Sequence, residues 1–214
     1  MKKNRLEAFS DSVIAVAITL LALDLKVTKV DGVPLSTLFW QQRLTFGAYA
    51  VSFFIIGAIW LSHHSLFNMA TGANRTVLLC NLLLLLFVTA IPFTTSTYGD
   101  YVEGSTLGDA RVSVIAYGIV MEGMSVSFVL ILWALLRADL FAVQLTAQQK
   151  RKLLLKYGAG AGIYPIITLV GVFNAPLMLL LYLPVIAYYL PGRHFLGRAA
   201  AEIAEGRREA GQPT

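Results

Sequence analysis

The chain has 214 residues, of which 57% are hydrophobic and only 14% charged, and its mean hydropathy is +0.70. Soluble domains carry about 25% charged residues, so this composition excludes a soluble domain and describes one compact membrane domain. The net charge of +5 does not point to nucleic acid, because the basic residues flank apolar runs, and the lone Cys80 permits no intrachain disulfide.

Along the chain, MKKNR followed by an apolar run resembles a signal peptide. Asp11 interrupts the approach, however, and KVTKVDG after Leu25 offers no small-residue cleavage site. The segment reads as a retained first helix. A bilayer core takes about 20 apolar residues as a helix. The sequence predicts six spans, at about 6–26, 46–68, 76–98, 112–136, 153–173 and 175–191. Asn174 and Pro176 separate the last two and predict a tight helical hairpin. Pro and Gly within the spans, such as Pro92, Gly118, Gly123, Pro165 and Pro184, are tolerated where neighbouring helices satisfy the backbone. The expected fold class is an all-α integral membrane protein, with a six-helix transmembrane domain over 1–198 and a polar tail over 199–214.

Charge placement sets the expected orientation. With the N-terminus in the cytoplasm, the inner segments hold Lys2, Lys3, Arg5, Arg75, Arg137, Lys150, Arg151, Lys152, Arg193, Arg198, Arg207 and Arg208. The outer segments hold only Lys26, Lys29, Arg43 and Arg111. Both termini are therefore expected in the cytoplasm, with acidic Asp100, Glu103 and Asp109 in an outer loop.

Three polar sites fall at one depth. Asp11 follows Arg5 by six residues, Asn81 follows Arg75 by six, and His63 and His64 lie near the inner end of the second span. Six helical residues span about 9 Å. Ionisable groups inside a membrane usually face a bundle interior and pair. One reading is a hydrogen-bonded knot of Arg5, Ser10, Asp11, a histidine and Asn81 joining three helices. The other is a set of separate interfacial residues that snorkel or bind water. On another side of the first helix, Val16, Leu20 and Leu23 recur at i, i+4 and i+7 with Thr19 beside them. Asp11 points about 140° away from Val16. Periodicity alone favours lipid or helix packing for that stripe over a pore.

The pattern Arg5-x-x-x-Phe9-Ser10-Asp11 resembles the first-helix signature of the transmembrane protein 175 family of potassium channels. W60-x-x-H63-x-x-L66-F67 in the second span and N81-L-L-L-L-L-F-V-T-A-I-P92-F93 in the third agree with it in order. The resemblance implies a single six-helix repeat, as in bacterial members, four copies of which surround one pore lined by first helices. The family's constriction positions, counted from the Phe-Ser-Asp motif, fall on Val16, Thr19, Leu20 and Leu23. Its narrowest ring is typically Ile or Leu, where this chain has Val16. The expected function is a potassium-permeable channel of a bacterial inner membrane with modest selectivity over sodium. Its partners are copies of itself, the bilayer and permeant monovalent cations, with no nucleic acid and no cofactor beyond the permeant potassium ion. Arg5, Phe9, Ser10, Asp11, His63 and Asn81 are the expected structural motif network. No catalytic residue and no fixed metal site are expected.

Other features read differently. Thr94-Thr-Ser-Thr97-Tyr98-Gly99 faintly resembles a carbonyl filter, but Thr97 replaces a glycine and the segment ends a full span. Tyr98 and Tyr101 are expected in an interfacial aromatic belt. Glu122 lies about 16 Å into the fourth span, where a carboxyl is a functional candidate by default. It is either pH-sensitive or a neutral acid bonded to a neighbouring helix, and it supports the competing reading of a proton-coupled transporter. Asp24 stands near the outer mouth. His63 and His64, adjacent on a helix, project about 100° apart and do not form a metal pair. Gly158-Ala-Gly-Ala-Gly162 fits close helix packing.

Overall fold

The computed structural model describes residues 3–23, 25–102, 105–142 and 144–189. Its helices are α1 (Lys3–Leu23), α2 (Leu35–Gln41), α3 (Arg43–Asn68), α4 (Arg75–Val102), α5 (Leu107–Arg137), α6 (Ala147–Phe173) and α7 (Ala175–Tyr189). Five of them, α1 and α3 to α6, are long and apolar enough to cross a bilayer. The shorter apolar helix α7 ends where the described residues end. Asp24, the end of the last predicted span and the polar tail 199–214 lie outside the described residues.

The starts of α4, α5, α6 and α7 are fixed by side chains that accept from otherwise unpaired backbone N–H groups. Asn74 accepts from Val77 N at 2.9 Å, Thr106 from Asp109 N at 3.2 Å, Thr146 from Gln149 N at 3.3 Å and Asn174 from Leu177 N at 3.1 Å. Each such cap stabilises by about 1 kcal/mol. Asn174 also donates its own N–H to Val170 O at 2.9 Å, so one residue closes α6 and opens α7. The caps and polar turns carry α4, α5 and α6 well past the apolar cores that mark them in the sequence. The short helix α2 has no counterpart among the predicted spans. Seven residues after Pro34 are too few for a hydropathy signal, and Arg43 secures the turn into α3 by donating to Trp40 O at 3.0 Å while lying over the Trp40 ring.

α4 is the central helix, packed against α1, α3 and α5, and α5 packs in turn on α6. Close approach rests on small residues. A Cβ at Gly123 would overlap Phe87 of α4, one at Gly118 would overlap Thr168 of α6, and one at Gly160 would overlap Ser125 of α5. One correction concerns an aromatic residue. Tyr98 is fully buried, not interfacial, and donates to Ala175 O at 2.6 Å. It begins a ladder of rings, Tyr98–Tyr117–Tyr182–Tyr164, with centroids 5.6–5.9 Å apart. The Thr94–Gly99 segment is ordinary α4 helix, in which Thr94 and Thr95 donate back to Ile91 O and Thr97 to Phe93 O.

Loops gather at one end. Thr71 N donates to Leu140 O at 2.9 Å and Ala142 N to Met69 O at 2.9 Å, joining the α3–α4 loop to the α5–α6 loop. At the same end Tyr157 of α6 reaches Ser62 O of α3, and Tyr189 of α7 reaches Lys156 O. The start of α1, the end of α3 and the start of α4 meet there as well. This is the basic end of the bundle, carrying Arg5, Arg75, Arg137, Lys150, Arg151 and Lys152.

Candidate functional site

α1 has two faces. Leu6, Ser10, Ile14, Ala17 and Leu21, spaced by four or three residues, are buried against α3 and α4. That spacing keeps one side of a helix in contact over nearly its whole length. Val16, Leu20 and Leu23 stand on the other side, 55%, 40% and 66% exposed in the single chain. Thr19, also exposed, donates its hydroxyl proton to Val16 O at 2.8 Å. Its oxygen lone pairs are therefore directed away from the helix. No charged side chain interrupts this face from Ser12 to Leu23.

The buried face is held at its basic end by a chain of neutral hydrogen bonds. Ser10 of α1 donates to its own Leu6 O at 2.9 Å and accepts from Asn81 Nδ2 of α4 at 2.9 Å. Asn81 Oδ1 lies 2.8 Å from His63 Nε2 of α3. With the amide in that orientation, Nε2 must carry the proton, and donation runs from His63 to Asn81 to Ser10 to Leu6 O. All three side chains are fully buried. His63 Nδ1 is enclosed without a hydrogen-bond partner among the described residues, and the His63 ring lies on Phe67 with centroids 4.5 Å apart. Sliding or turning α1 by one residue breaks the Ser10 link, so the chain of bonds fixes the helix in register.

Asp11 lies outside that chain. It is half-buried, and its Oδ1 accepts from Trp60 Nε1 at 2.9 Å. Trp60 stacks on the exposed His64, with centroids 6.1 Å apart. Arg5 is exposed and makes no hydrogen bond or ion pair among the described residues, and Phe9 is 50% exposed, on the side of α1 that carries Val16. The structure thus divides the expected knot into a buried triad and a separate Asp11–Trp60 link. A buried triad of neutral groups avoids the desolvation cost of a charge, which explains why the arginine stays out. Sequence reading missed Trp60 as a donor; its signal is its place one turn before His63 in the same motif.

Two further polar groups lie deeper. Tyr117 of α5 and Ser52 of α3 are 2.9 Å apart, and Ser52 and Thr95 of α4 are 2.7 Å apart. Because Thr95 donates to Ile91 O, the protons run from Tyr117 through Ser52 to Thr95. Sequence reading missed this cluster; its only signal is three isolated hydroxyls at similar depth. Glu122 is half-buried on the side of α5 that meets α6, about one turn from both Gly118 and Ser125. Its Oε2 is enclosed without a hydrogen-bond partner among the described residues.

Residues 5–92 match the family model described as endosomal/lysosomal potassium channel TMEM175. A potassium channel of Streptomyces collinus is 34% identical over 190 residues, covering 88% of this chain and 91% of that protein. The endosomal/lysosomal proton channel TMEM175 of Gallus gallus is 36% identical over 114 residues, which cover 49% of this chain and 23% of that protein. The crystal structure of a lysosomal potassium-selective channel TMEM175 homolog from Chamaesiphon minutus superposes with a TM-score of 0.76 at 25% identity, covering 90% of this chain and 98% of that one. The two-faced first helix and its buried Ser10–Asn81–His63 triad thus occur in a chain that agrees over nearly all its length with the Streptomyces channel in sequence and with the Chamaesiphon channel in fold. This multi-pass membrane protein is not an enzyme; it belongs to the TMEM175 family of potassium channels.

Proposed function

We propose that the chain is the subunit of a potassium-permeable channel in a bacterial inner membrane, with four copies surrounding a pore lined by α1 and gated by its apolar face. The observation that carries this reading is the division of α1: one face is locked to α3 and α4, and the other presents Val16, Thr19, Leu20 and Leu23 without a charge. A narrow neck of apolar side chains closes by dewetting, and a modest widening admits partly dehydrated cations. Thr19 suits the conducting state because its proton is already engaged by Val16 O. The oxygen can then replace part of a cation's hydration shell. Such a ring favours potassium, which sheds water more easily than sodium, without the strict selection of a carbonyl cage. The basic side chains gathered at one end of the bundle support both termini on the cytoplasmic side.

The test is passive flux in liposomes containing the purified protein, measured separately for potassium, sodium and protons. Wild type is expected to pass potassium faster than sodium. Leu20→Ala is expected to raise basal flux and reduce that preference. Glu122 favours a second reading, a proton-coupled transporter, because its enclosed Oε2 is left without a partner among the described residues. Saturable exchange abolished by Glu122→Gln and indifferent to Leu20→Ala would establish the transporter instead.

A further inference from the structure

Between α3, α5, α6 and α7 lies a partly open cleft with about 440 Å³ of space unfilled by protein atoms, the open volume at its mouth included. Ala58 and Ser62 of α3, Phe128 of α5, Tyr157 and Tyr164 of α6 and Tyr189 of α7 are among its walls. None of its lining residues belongs to α1, and none of the residues assigned above to the pore or its support lines it.

The walls are apolar in effect, although they include tyrosines. The Tyr157 hydroxyl donates to Ser62 O at 3.5 Å and the Tyr189 hydroxyl to Lys156 O at 3.0 Å, so both turn their rings toward the space. The Tyr157 ring stacks on Phe128 with centroids 6.0 Å apart. A peptide could not satisfy its backbone in such surroundings, whereas a hydrocarbon chain needs no polar partner. From Ser62 to Ile55 along α3, and from Tyr157 to Tyr164 along α6, the cleft runs seven residues, about 10 Å. That is most of the depth of one leaflet's hydrocarbon, which is half of a core about 30 Å thick. Cations stand at one end only. Lys156 Nζ lies 5.4 Å from the centre of the Tyr157 ring, and exposed Lys152 is one turn nearer the basic end.

We propose that this cleft holds one acyl chain of an anionic membrane phospholipid, with the lipid phosphate beside Lys156 and Lys152. The apolar cleft takes the tail and the lysines select the charge of the headgroup. A lipid so placed ties α3 to the α6–α7 hairpin along a side of α3 that the triad does not use.

The test uses the purified full-length chain in detergent, offered dioleoyl phosphatidylglycerol or dioleoyl phosphatidylcholine, with bound lipid counted by native mass spectrometry and unfolding followed by heat. Wild type is expected to retain phosphatidylglycerol saturably, one molecule per chain, in preference to phosphatidylcholine, and to melt at a higher temperature with it. Lys156→Gln is expected to reduce that preference about fivefold, the weight of one lysine at an anionic surface. Ala58→Phe, which fills the cleft, is expected to abolish retention of both lipids. Equal retention of the two lipids by wild type, or retention unchanged by Lys156→Gln, overturns the proposal. A charge preference that fails in Lys156→Gln sustains it even where Ala58→Phe does not fold. Because retention is read without any ion gradient, a protein that binds the lipid but passes no potassium counts against the channel reading and not against this site.

Discussion

Asn81 is the residue on which three helices depend, since its amide receives a proton from His63 and gives one to Ser10. Replacing it by leucine keeps the approximate size but leaves the His63 Nε2–H buried without an acceptor. The cost of one such orphaned group is about 1–3 kcal/mol. Asn81→Leu is therefore expected to lower thermal stability in detergent by that amount. His63→Phe combined with Asn81→Leu removes both members of the pair, and buried pairs replaced together cost less than one member lost alone. The double variant is expected to recover part of the loss, which a thermodynamic cycle measures directly. If the two losses simply add, the His63–Asn81 bond is not a stabilising link. Arg5→Gln serves as the control, because the exposed Arg5 lies outside the triad and its loss is expected to leave stability nearly unchanged.

At the scale of the helix, α1 separates stability from conduction. Ile14 is 1% exposed and packed into the bundle, whereas Leu20, six residues further on, is 40% exposed in the single chain. Truncating a buried isoleucine to alanine costs about 2–5 kcal/mol, through lost contacts and the cavity left behind. Ile14→Ala is expected to lower the melting temperature markedly. Leu20→Ala is expected to change unfolding of the chain by no more than about 0.5 kcal/mol while changing ion flux. Equal destabilisation by both would mean that the Leu20 face is structural. Much of this was legible in sequence: alternation by three and four residues identified the Val16–Leu20–Leu23 stripe and placed Asp11 away from it. What periodicity left open was the membership of the polar knot. Asp11, His63 and Asn81 share a depth in the sequence, but the direction of each side chain depends on where α3 and α4 pack. Only the assembled helices show that Ser10 meets Asn81 while Asp11 meets Trp60.

At the scale of the whole molecule, hydropathy marks the long helices because lipid demands continuous apolar runs, and it fails where local caps decide. It omitted α2, shortened α4 to α6, and placed Tyr98 at the surface, since a tyrosine near a helix end looks interfacial until α7 is known to cover it. The same limit hid the junction of the α3–α4 and α5–α6 loops. α5 ends with Asp139 in the left-handed region, at φ 51°; Leu140 N donates to Leu135 O at 3.1 Å and Asp139 N to Leu136 O at 3.4 Å. These are the two bonds of a Schellman cap. The cap aims Leu140 O at Thr71 N, so a single backbone reversal at Asp139 joins two connections that are far apart in sequence. Aspartate tolerates this conformation less well than glycine, and a β-branched residue tolerates it poorly. Asp139→Gly is therefore expected to keep or raise the melting temperature, by an amount equivalent to at most about 1 kcal/mol. Asp139→Val is expected to destabilise by about 1–2 kcal/mol. Amide hydrogen exchange supplies the decisive reading: in the valine variant, the Thr71 and Ala142 amides should lose protection together, because both belong to the one junction that Asp139 sets. Loss at Ala142 with Thr71 still protected would show that the two loops are held independently.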